Sequence, residues 1–374
     1  MRIRPFTLER YFARYEFNVR YLLSPSDCEA LSLAEVMSLA DGEGRALWQG
    51  LTLGYTESQG HPRLRGEIAA LYEKVAPEGV VVAVPEEAIF VAMNTLLAPG
   101  DHVVTISPAY QSLYEIARAS GCEVTPWPVE ARDGRWTIDV DALPHLLRPN
   151  TKLIVINFPH NPTGVLASPA ELDAIVALAR ERGAFLFSDE MYRWLEGDDG
   201  QRLPAVADLY EKGISLGGLS KSFALAGLRV GWLAAQDAAL AEAFVTFKDY
   251  TTICNSAPSE ILALIALRAR ESILARNLGI VAQNRTIAES FFGSRPDLFE
   301  WLPPDAGSTA FVRWLGPGTV DELAARLLDA QGLMILPDSI FDVSGNYFRV
   351  GLGRLDFWEA LEALGDYVDA LPGG

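Results

Sequence analysis

Gly218-Leu219-Ser220-Lys221-Ser222-Phe223-Ala224-Leu225-Ala226-Gly227-Leu228-Arg229-Val230-Gly231 is the stretch whose reading decides this chain. Lys221 has small and apolar neighbours, and loss of hydration there disfavours the ammonium form and frees a nucleophilic amine. A neutral lysine amine attacks aldehydes to give a Schiff base. Ser220 adds a hydroxyl beside it, and Arg229, eight residues on, adds a guanidinium fork suited to phosphate. Amine, hydroxyl and guanidinium together describe a receptor for a phosphate-bearing aldehyde. Pyridoxal 5'-phosphate is that molecule.

Outward from this stretch, apolar runs alternate with helical patterns. Residues 80–84, 101–106, 123–127, 152–157, 184–188 and 213–217 read as strands, while 63–72, 86–97, 111–120 and 170–182 carry helical spacing. Continuous apolar strands separated by helices predict an α/β fold, a three-layer large domain around a mainly parallel sheet. The pattern changes after about residue 252. A long helical stretch over 259–292 leads to strands at 310–314, 333–336 and 347–351 and helices at 320–331 and 357–371. These predict a smaller α+β C-terminal domain. The first 45 or so residues read as an irregular arm with Phe6, Tyr11, Phe12, Tyr15, Phe17 and Tyr21. The expected division is an arm over 1–45 that packs on the small domain or a partner, a large cofactor-binding domain over 46–260, and a small domain over 261–374. The arm, with Glu16, Asp27 and Glu29, is expected to contribute to the pocket in a folded dimer; there its acidic charge would favour a basic substrate side chain, but surface placement of these three residues is the preferred reading.

Composition bounds the function. The 374 residues include 49% hydrophobic types, enough for a sizeable core, and a net charge of −18 opposes nucleic-acid binding. Cys28, Cys122 and Cys254 are scattered and odd in number, and His61, His102, His145 and His160 form no cluster. Neither set has metal-ligand or disulfide spacing, which fits a reducing cytosol and no metal. No run of signal-peptide or membrane-spanning length is present, so a cytoplasmic protein away from membranes is expected.

In open parallel sheets, ligands sit beyond the carboxyl ends of strands. Asn161, in Asn157-Phe158-Pro159-His160-Asn161-Pro162-Thr163-Gly164, follows one such end, where two prolines and a glycine build a rigid turn. Asp189 and Tyr192 follow another. Taken singly, these also read as an ordinary Asn-Pro turn and a helix cap. Taken together, Asp189 pairs with a protonated pyridine nitrogen, and Asn161 and Tyr192 reach the ring's phenolic oxygen.

These segments resemble fold-type I pyridoxal-phosphate enzymes of the class I/II aminotransferase group, over about residues 53–354. The lysine segment matches at essentially every constrained position; Asn161-Pro162-Thr163-Gly164 and Asp189-x-x-Tyr192 follow in the family's order. The resemblance implies that Lys221 binds the cofactor aldehyde and shuttles the Cα proton, that Asp189 keeps the ring nitrogen protonated, and that Asn161 and Tyr192 tune the ring oxygen. It implies phosphate contacts from Ser220 and Arg229, and a ring-stacking role for Tyr110, whose alternative is a structural aromatic. Tyr55 would reach the phosphate of a partner subunit in a homodimer, and Arg349 would grip the substrate α-carboxylate. Arg354 reads as a surface or structural residue.

Two departures stand out. Gly218 occupies the place of a serine or threonine, and the usual glycine-containing phosphate cradle is Ala83-Val84-Pro85-Glu86-Glu87. Proline suits a first helical turn, so the N–H groups of Glu86 and Glu87 are expected to face the phosphate while their carboxylates point elsewhere. The implied activity is amino transfer between an L-amino acid and a 2-oxo acid. The departures keep open other pyridoxal-phosphate chemistry: β- or γ-elimination, decarboxylation, or cyclisation and oxidation in a natural-product pathway, as in capreomycidine synthase. A phosphate-loop nucleotide site is excluded because Ser220, not glycine, precedes the lysine, and no strand-linked G-x-G-x-x-G marks a dehydrogenase. An effector-binding module of a transcription regulator would need a further DNA-binding domain, for which this acidic chain has no room.

Overall fold

The computed structural model describes residues 2–371; residue 1 of the expected arm and 372–374 of the expected small domain lie outside the described residues. An eight-stranded sheet forms its centre, in the order Val80–Ala83, Gly231–Ala234, Gly213–Gly218, Phe185–Asp189, Thr151–Asn157, His102–Ser107, Glu123–Arg132 and Arg135–Ile138. All run one way except Gly231–Ala234 and Arg135–Ile138, which pair antiparallel with their neighbours. The sheet is therefore mainly parallel, as the alternating pattern predicts. These two strands, each four residues long, are not among those expected from the sequence. Asp133-Gly134 nevertheless announces the second, since both residues have positive φ (51° and 76°) in a two-residue hairpin loop.

Alternation inside the strands explains the layers. Val103, Leu153 and Phe187 join the core shared with helices Pro85–Leu96 and Ser112–Ala119. Their chain neighbours Val104, Ile154 and Leu186 point the other way, into the core shared with helix Pro169–Arg182. Successive strand residues face opposite sides, so continuous apolar runs are what a sheet covered on both faces requires. A third core joins Val80, Val82 and Trp232 to helices Pro62–Ala69 and Ala257–Arg268. The division expected at 260 thus falls within a helix whose Ile261, Leu264 and Ile265 pack with the large sheet's edge.

A second sheet, antiparallel, orders Phe299–Glu300, Thr309–Trp314, Tyr347–Gly351 and Leu336–Pro337. The single strand expected over 333–336 divides: Leu333–Met334 instead pairs in parallel with Tyr21–Leu22 of the arm. The arm itself is not irregular. It holds helices Thr7–Tyr15, Leu33–Ser38 and Gly42–Gln49. Their sequence signals are local: Ser32 and Glu35 cap each other reciprocally, Asp41 accepts from the Gly44 N–H at 2.6 Å, and Leu8 and Phe12 are buried one helical turn apart. No described helix is long and apolar enough to cross a membrane.

Candidate active site

Topology gathers the chemistry at one edge. Asp189 is the last residue of its strand, and Tyr110, Asn161, Lys221 and Glu86 each follow the carboxyl end of a strand running in the common direction. Beyond Gly218 the chain turns sharply: Leu225 N–H donates to the Leu219 carbonyl at 2.9 Å, and Leu219 N–H to Val230 at 3.0 Å. Ser222 Oγ donates to the Arg193 carbonyl at 2.6 Å, and Asn277 Nδ2 to the Ser222 carbonyl at 2.8 Å. These bonds fix the loop that carries Lys221. Its Nζ donates to Ser26 Oγ at 2.8 Å and stands 6.0 Å from the centroid of the Tyr192 ring.

Asp189 is buried, and its Oδ1 accepts from the Met191 N–H at 3.1 Å. Burial pushes its carboxyl up to about 6, against the Met191 hydrogen bond and the charge of Lys221. Asn157 braces two site residues at once: Nδ2 donates to the Asp189 carbonyl at 2.8 Å, and Oδ1 accepts from the Asn161 N–H at 2.9 Å. His160, which forms no metal cluster, has a structural task. Burial lowers it to about 4, so the ring is neutral; one nitrogen lies 2.7 Å from Thr163 Oγ1 and the other 2.8 Å from the Pro108 carbonyl. That tie joins the Asn161 turn to the loop bearing Tyr110. Gly164 closes the turn with φ +73°, where a Cβ would overlap Pro304.

Arg349 enters from the small sheet, 2% exposed. Its Nε donates to the Ser24 carbonyl at 3.0 Å and its Nη1 to Asn161 Oδ1 at 3.1 Å. Phe12 and Phe341 flank the guanidinium, at 5.8 and 5.6 Å to their centroids. Tyr192, Asp27, Tyr110 and Glu9 lie within its electrostatic reach. Tyr110 is held by the arm: its ring lies 4.9 Å from that of Phe6, and its hydroxyl donates to Glu9 at 2.7 Å.

Glu16 corrects the surface placement expected for the arm. It is half-buried, and burial together with the charges of Asp27 and Glu9 raises its carboxyl, against Arg354 and Lys221. Asp27 is paired with Arg354 at 3.2 Å, and Glu29 accepts from the Leu355 N–H at 3.3 Å. The helix Thr7–Tyr15 explains the correction at Glu16, because Glu16 is its C-cap and the helix docks through buried Leu8 and Phe12.

At the cradle, Pro85 opens helix Pro85–Leu96, leaving the first-turn N–H groups of Glu86 and Glu87 without intrahelical acceptors. The carboxylate of Glu87 turns back to accept from the Val84 N–H at 3.4 Å and Thr252 Oγ1 at 2.7 Å. That of Glu86 stays nearer the site: it accepts from Ser112 Oγ at 3.0 Å, and burial pushes it up to about 7, opposed by Ser112 and Arg229. The two departures in sequence touch. A Cβ on Gly218 would stand 2.8 Å from Met191 Sδ and 3.2 Å from Pro85 Cγ, so a serine or threonine there would displace the end of Met191 and crowd the proline ring.

Two residues expected at the phosphate are exposed in this single chain. Arg229 adopts φ +55° and donates to the Ala226 carbonyl at 3.3 Å; Tyr55 is 92% exposed. Sequence reasoning missed Ser26, Glu9, Asn157 and His160.

Asp189 yields a pH prediction. Its native value of about 6 lies above the ordinary 3.8, so the folded protein binds the proton more tightly. Its contribution to stability therefore falls as pH rises from about 4 to 6, and the charge-burial cost is complete above that. Asp189→Asn is expected to stabilise the cofactor-free protein by about 2–3 kcal/mol at pH 8 and by little at pH 4, read from denaturant midpoints. Equal midpoints at both pH values would remove this account.

The residues fit pyridoxal 5'-phosphate on an observation of this structure: Ser220 Oγ, next to Lys221 in the chain, is buried with no hydrogen-bond partner among the described residues. Such an orphan acceptor and donor marks a place for a missing polar group. Comparison with known proteins agrees. The model of the family described as aminotransferase class I and II matches residues 25–357. Capreomycidine synthase of Streptomyces vinaceus is 32% identical over 344 residues, covering 89% of this chain and 86% of that protein. A PLP-dependent aminotransferase from Streptococcus suis has the same fold at TM-score 0.93 and 30% identity, covering 100% of both chains. The PLP-dependent cyclase OrfR has TM-score 0.89 and 30% identity, over 99% of this chain and 98% of that one. A match of this extent, on this fold, makes one assignment: the chain belongs to the class I and II aminotransferase family, and its cofactor is pyridoxal 5'-phosphate.

Proposed function

We propose that this protein transfers an amino group between an L-amino acid and a 2-oxo acid. The carrying observation is that Lys221, Asp189 and Arg349 belong to one site: Arg349 holds Asn161, Asn157 joins Asn161 to Asp189, and Lys221 bonds Ser26, two residues from the Ser24 carbonyl that takes Arg349. Bound pyridoxal 5'-phosphate supplies an aldehyde for amine exchange and a ring that withdraws electrons from the substrate Cα. Lys221 Nζ would take the Cα proton and carry it away from Cα. Arg349 receives the α-carboxylate, Asp189 holds the proton of the ring nitrogen, and Asn161 and Tyr192 bond the ring oxygen. Tyr110 covers the ring face. Ser220, Arg229 and the N–H groups of Glu86 and Glu87 take the phosphate.

The substrate side chain in this reading is basic. Glu16 is half-buried, accepts no hydrogen bond among the described residues, and shares electrostatic reach with Lys221, Glu9 and Asp27. The reading includes a homodimer in which Tyr55 reaches the partner's phosphate; the exposure of Leu53, Tyr55 and Tyr250 supports such a covered face.

A second reading is cyclisation of an amino acid. Similarity to capreomycidine synthase and to a PLP-dependent cyclase favours it, as does the altered cradle. Both readings use the same proton removal by Lys221 and differ in the step after it.

The test mixes holoenzyme, its dimer fixed by sedimentation, with arginine, lysine, alanine or glutamate and a 2-oxo acid, and tracks products by mass spectrometry. Transfer yields one new oxo acid per new amino acid, with kcat/KM at least about tenfold higher for the basic substrates. A cyclic product without amine transfer decides for the second reading. Release of ammonia or hydrogen peroxide, or of pyruvate from a substrate other than alanine, overturns both, and preference for glutamate overturns the assignment of Glu16.

A further inference from the structure

Residues 23–26 cross the site as a strap. Leu23 N–H donates to the Met334 carbonyl at 3.1 Å, and its carbonyl accepts from the Gly351 N–H at 2.7 Å. The Ser24 carbonyl takes Arg349 Nε at 3.0 Å, and the Ser26 carbonyl takes Ser308 Oγ at 2.7 Å. The strap lies directly on backbone: a Cβ at Gly351 would overlap the Pro25 carbonyl oxygen, and one at Gly353 that of Asp27. Only glycine at both places allows this approach. The strap is thus anchored at each residue that touches a neighbour, and from it one hydroxyl reaches the lysine. Ser26 is buried, and its Oγ is the sole hydrogen-bond partner of Lys221 Nζ among the described residues.

We propose that Ser26 is a positioning residue for the Lys221 amine. A lysine head group has free rotation on a flexible four-carbon stem. A hydrogen bond from Nζ to a fixed hydroxyl removes that freedom and sets the direction of the nitrogen lone pair once the amine is neutral. Reaction with an aldehyde carbon and transfer of a proton from Cα both demand that direction, and near-attack geometry is where such restraint accelerates a step. The same strap holds Arg349 through Ser24, so the amine and the carboxylate receptor are set by one piece of backbone. The inference rests on Lys221 being the amine that takes the cofactor aldehyde, and holds equally for transfer and for cyclisation.

The test uses Ser26→Ala and Ser26→Thr. Stopped-flow absorbance monitors capture of pyridoxal 5'-phosphate by cofactor-free protein, and the Cα-deuterium isotope effect on kcat is measured on the holoenzyme. Ser26→Ala is expected to slow capture about tenfold. It should also lower kcat with little change in KM and raise the isotope effect. Ser26→Thr, which keeps the hydroxyl, is expected to restore both readouts. Thermal midpoints are compared so that a folding defect is separated from lost positioning. Unchanged capture and isotope effect in Ser26→Ala overturn the proposal, as does Ser26→Thr matching Ser26→Ala at an unaltered midpoint. If wild-type protein fails to capture the aldehyde, the reading of Lys221 itself is at fault rather than that of Ser26.

Discussion

Lys221→Ala is expected to cost at least about 10⁴-fold in turnover, because in the proposed function one side chain serves as both nucleophile and proton carrier. The amine contacts Ser26 and the face of Tyr192, and the side chain is only half-buried, so removal leaves the core untouched. The loop is held by its own backbone bonds and by Ser222 and Asn277, none of which involve the lysine side chain. Thermal stability should therefore change little while chemistry disappears. Absorbance of the cofactor and product formation are the measurements. A variant that keeps the covalent cofactor absorbance, or turns over within tenfold of wild type, contradicts the assignment.

The second large effect is expected at Arg349. Its guanidinium is enclosed by Phe12 and Phe341, and both its hydrogen bonds go to neutral oxygens. Burial acts against its charge, and among the described residues it has no ion pair. A buried cation held only by neutral groups gains most from an arriving anion. Arg349→Ala should raise KM for an amino acid at least about 30-fold, the effect of truncating one partner of a buried charged pair. Arg349→Lys should recover little, because an ammonium lacks the planar fork. Loss of packing against the phenylalanines also reduces stability, so the decisive measurement compares an amino acid with its decarboxylated amine. Wild-type preference for the amino acid should vanish in Arg349→Ala. A preference that survives assigns carboxylate binding elsewhere.

How much of the site is legible in the sequence depends on how local each signal is. The lysine loop reads directly because its turn, its glycines and its amine lie within fourteen residues, 218–231. Asp189 and Asn161 read from strand ends, because apolar runs such as 152–157 mark where a parallel sheet releases the chain. Ser26 is not legible. Its position beside Lys221 depends on Gly351 and Gly353, more than 300 residues away, admitting the strap. The arm reads as irregular although Ser32-x-x-Glu35 carries a capping box, since aromatic content outweighs a short helical signal. Glu16 is misplaced by the same reading: its burial is a property of the docked helix, not of its neighbours in sequence. Tyr110 is legible as a site residue, but its bond to Glu9 crosses a hundred residues and has no local trace.

Pro85 and Gly218 look like two separate oddities in sequence, 133 positions apart. In the fold they are one. The proline ring and Met191 occupy the volume that a side chain at 218 would need. The hydroxyl absent from the lysine loop is thus the imprint of a ring lying across the sheet. A side chain at 218 would therefore require the end of Met191 to swing aside and the Pro85 ring to give by a few tenths of an ångström, so the lysine loop and the cradle are mechanically coupled at this corner.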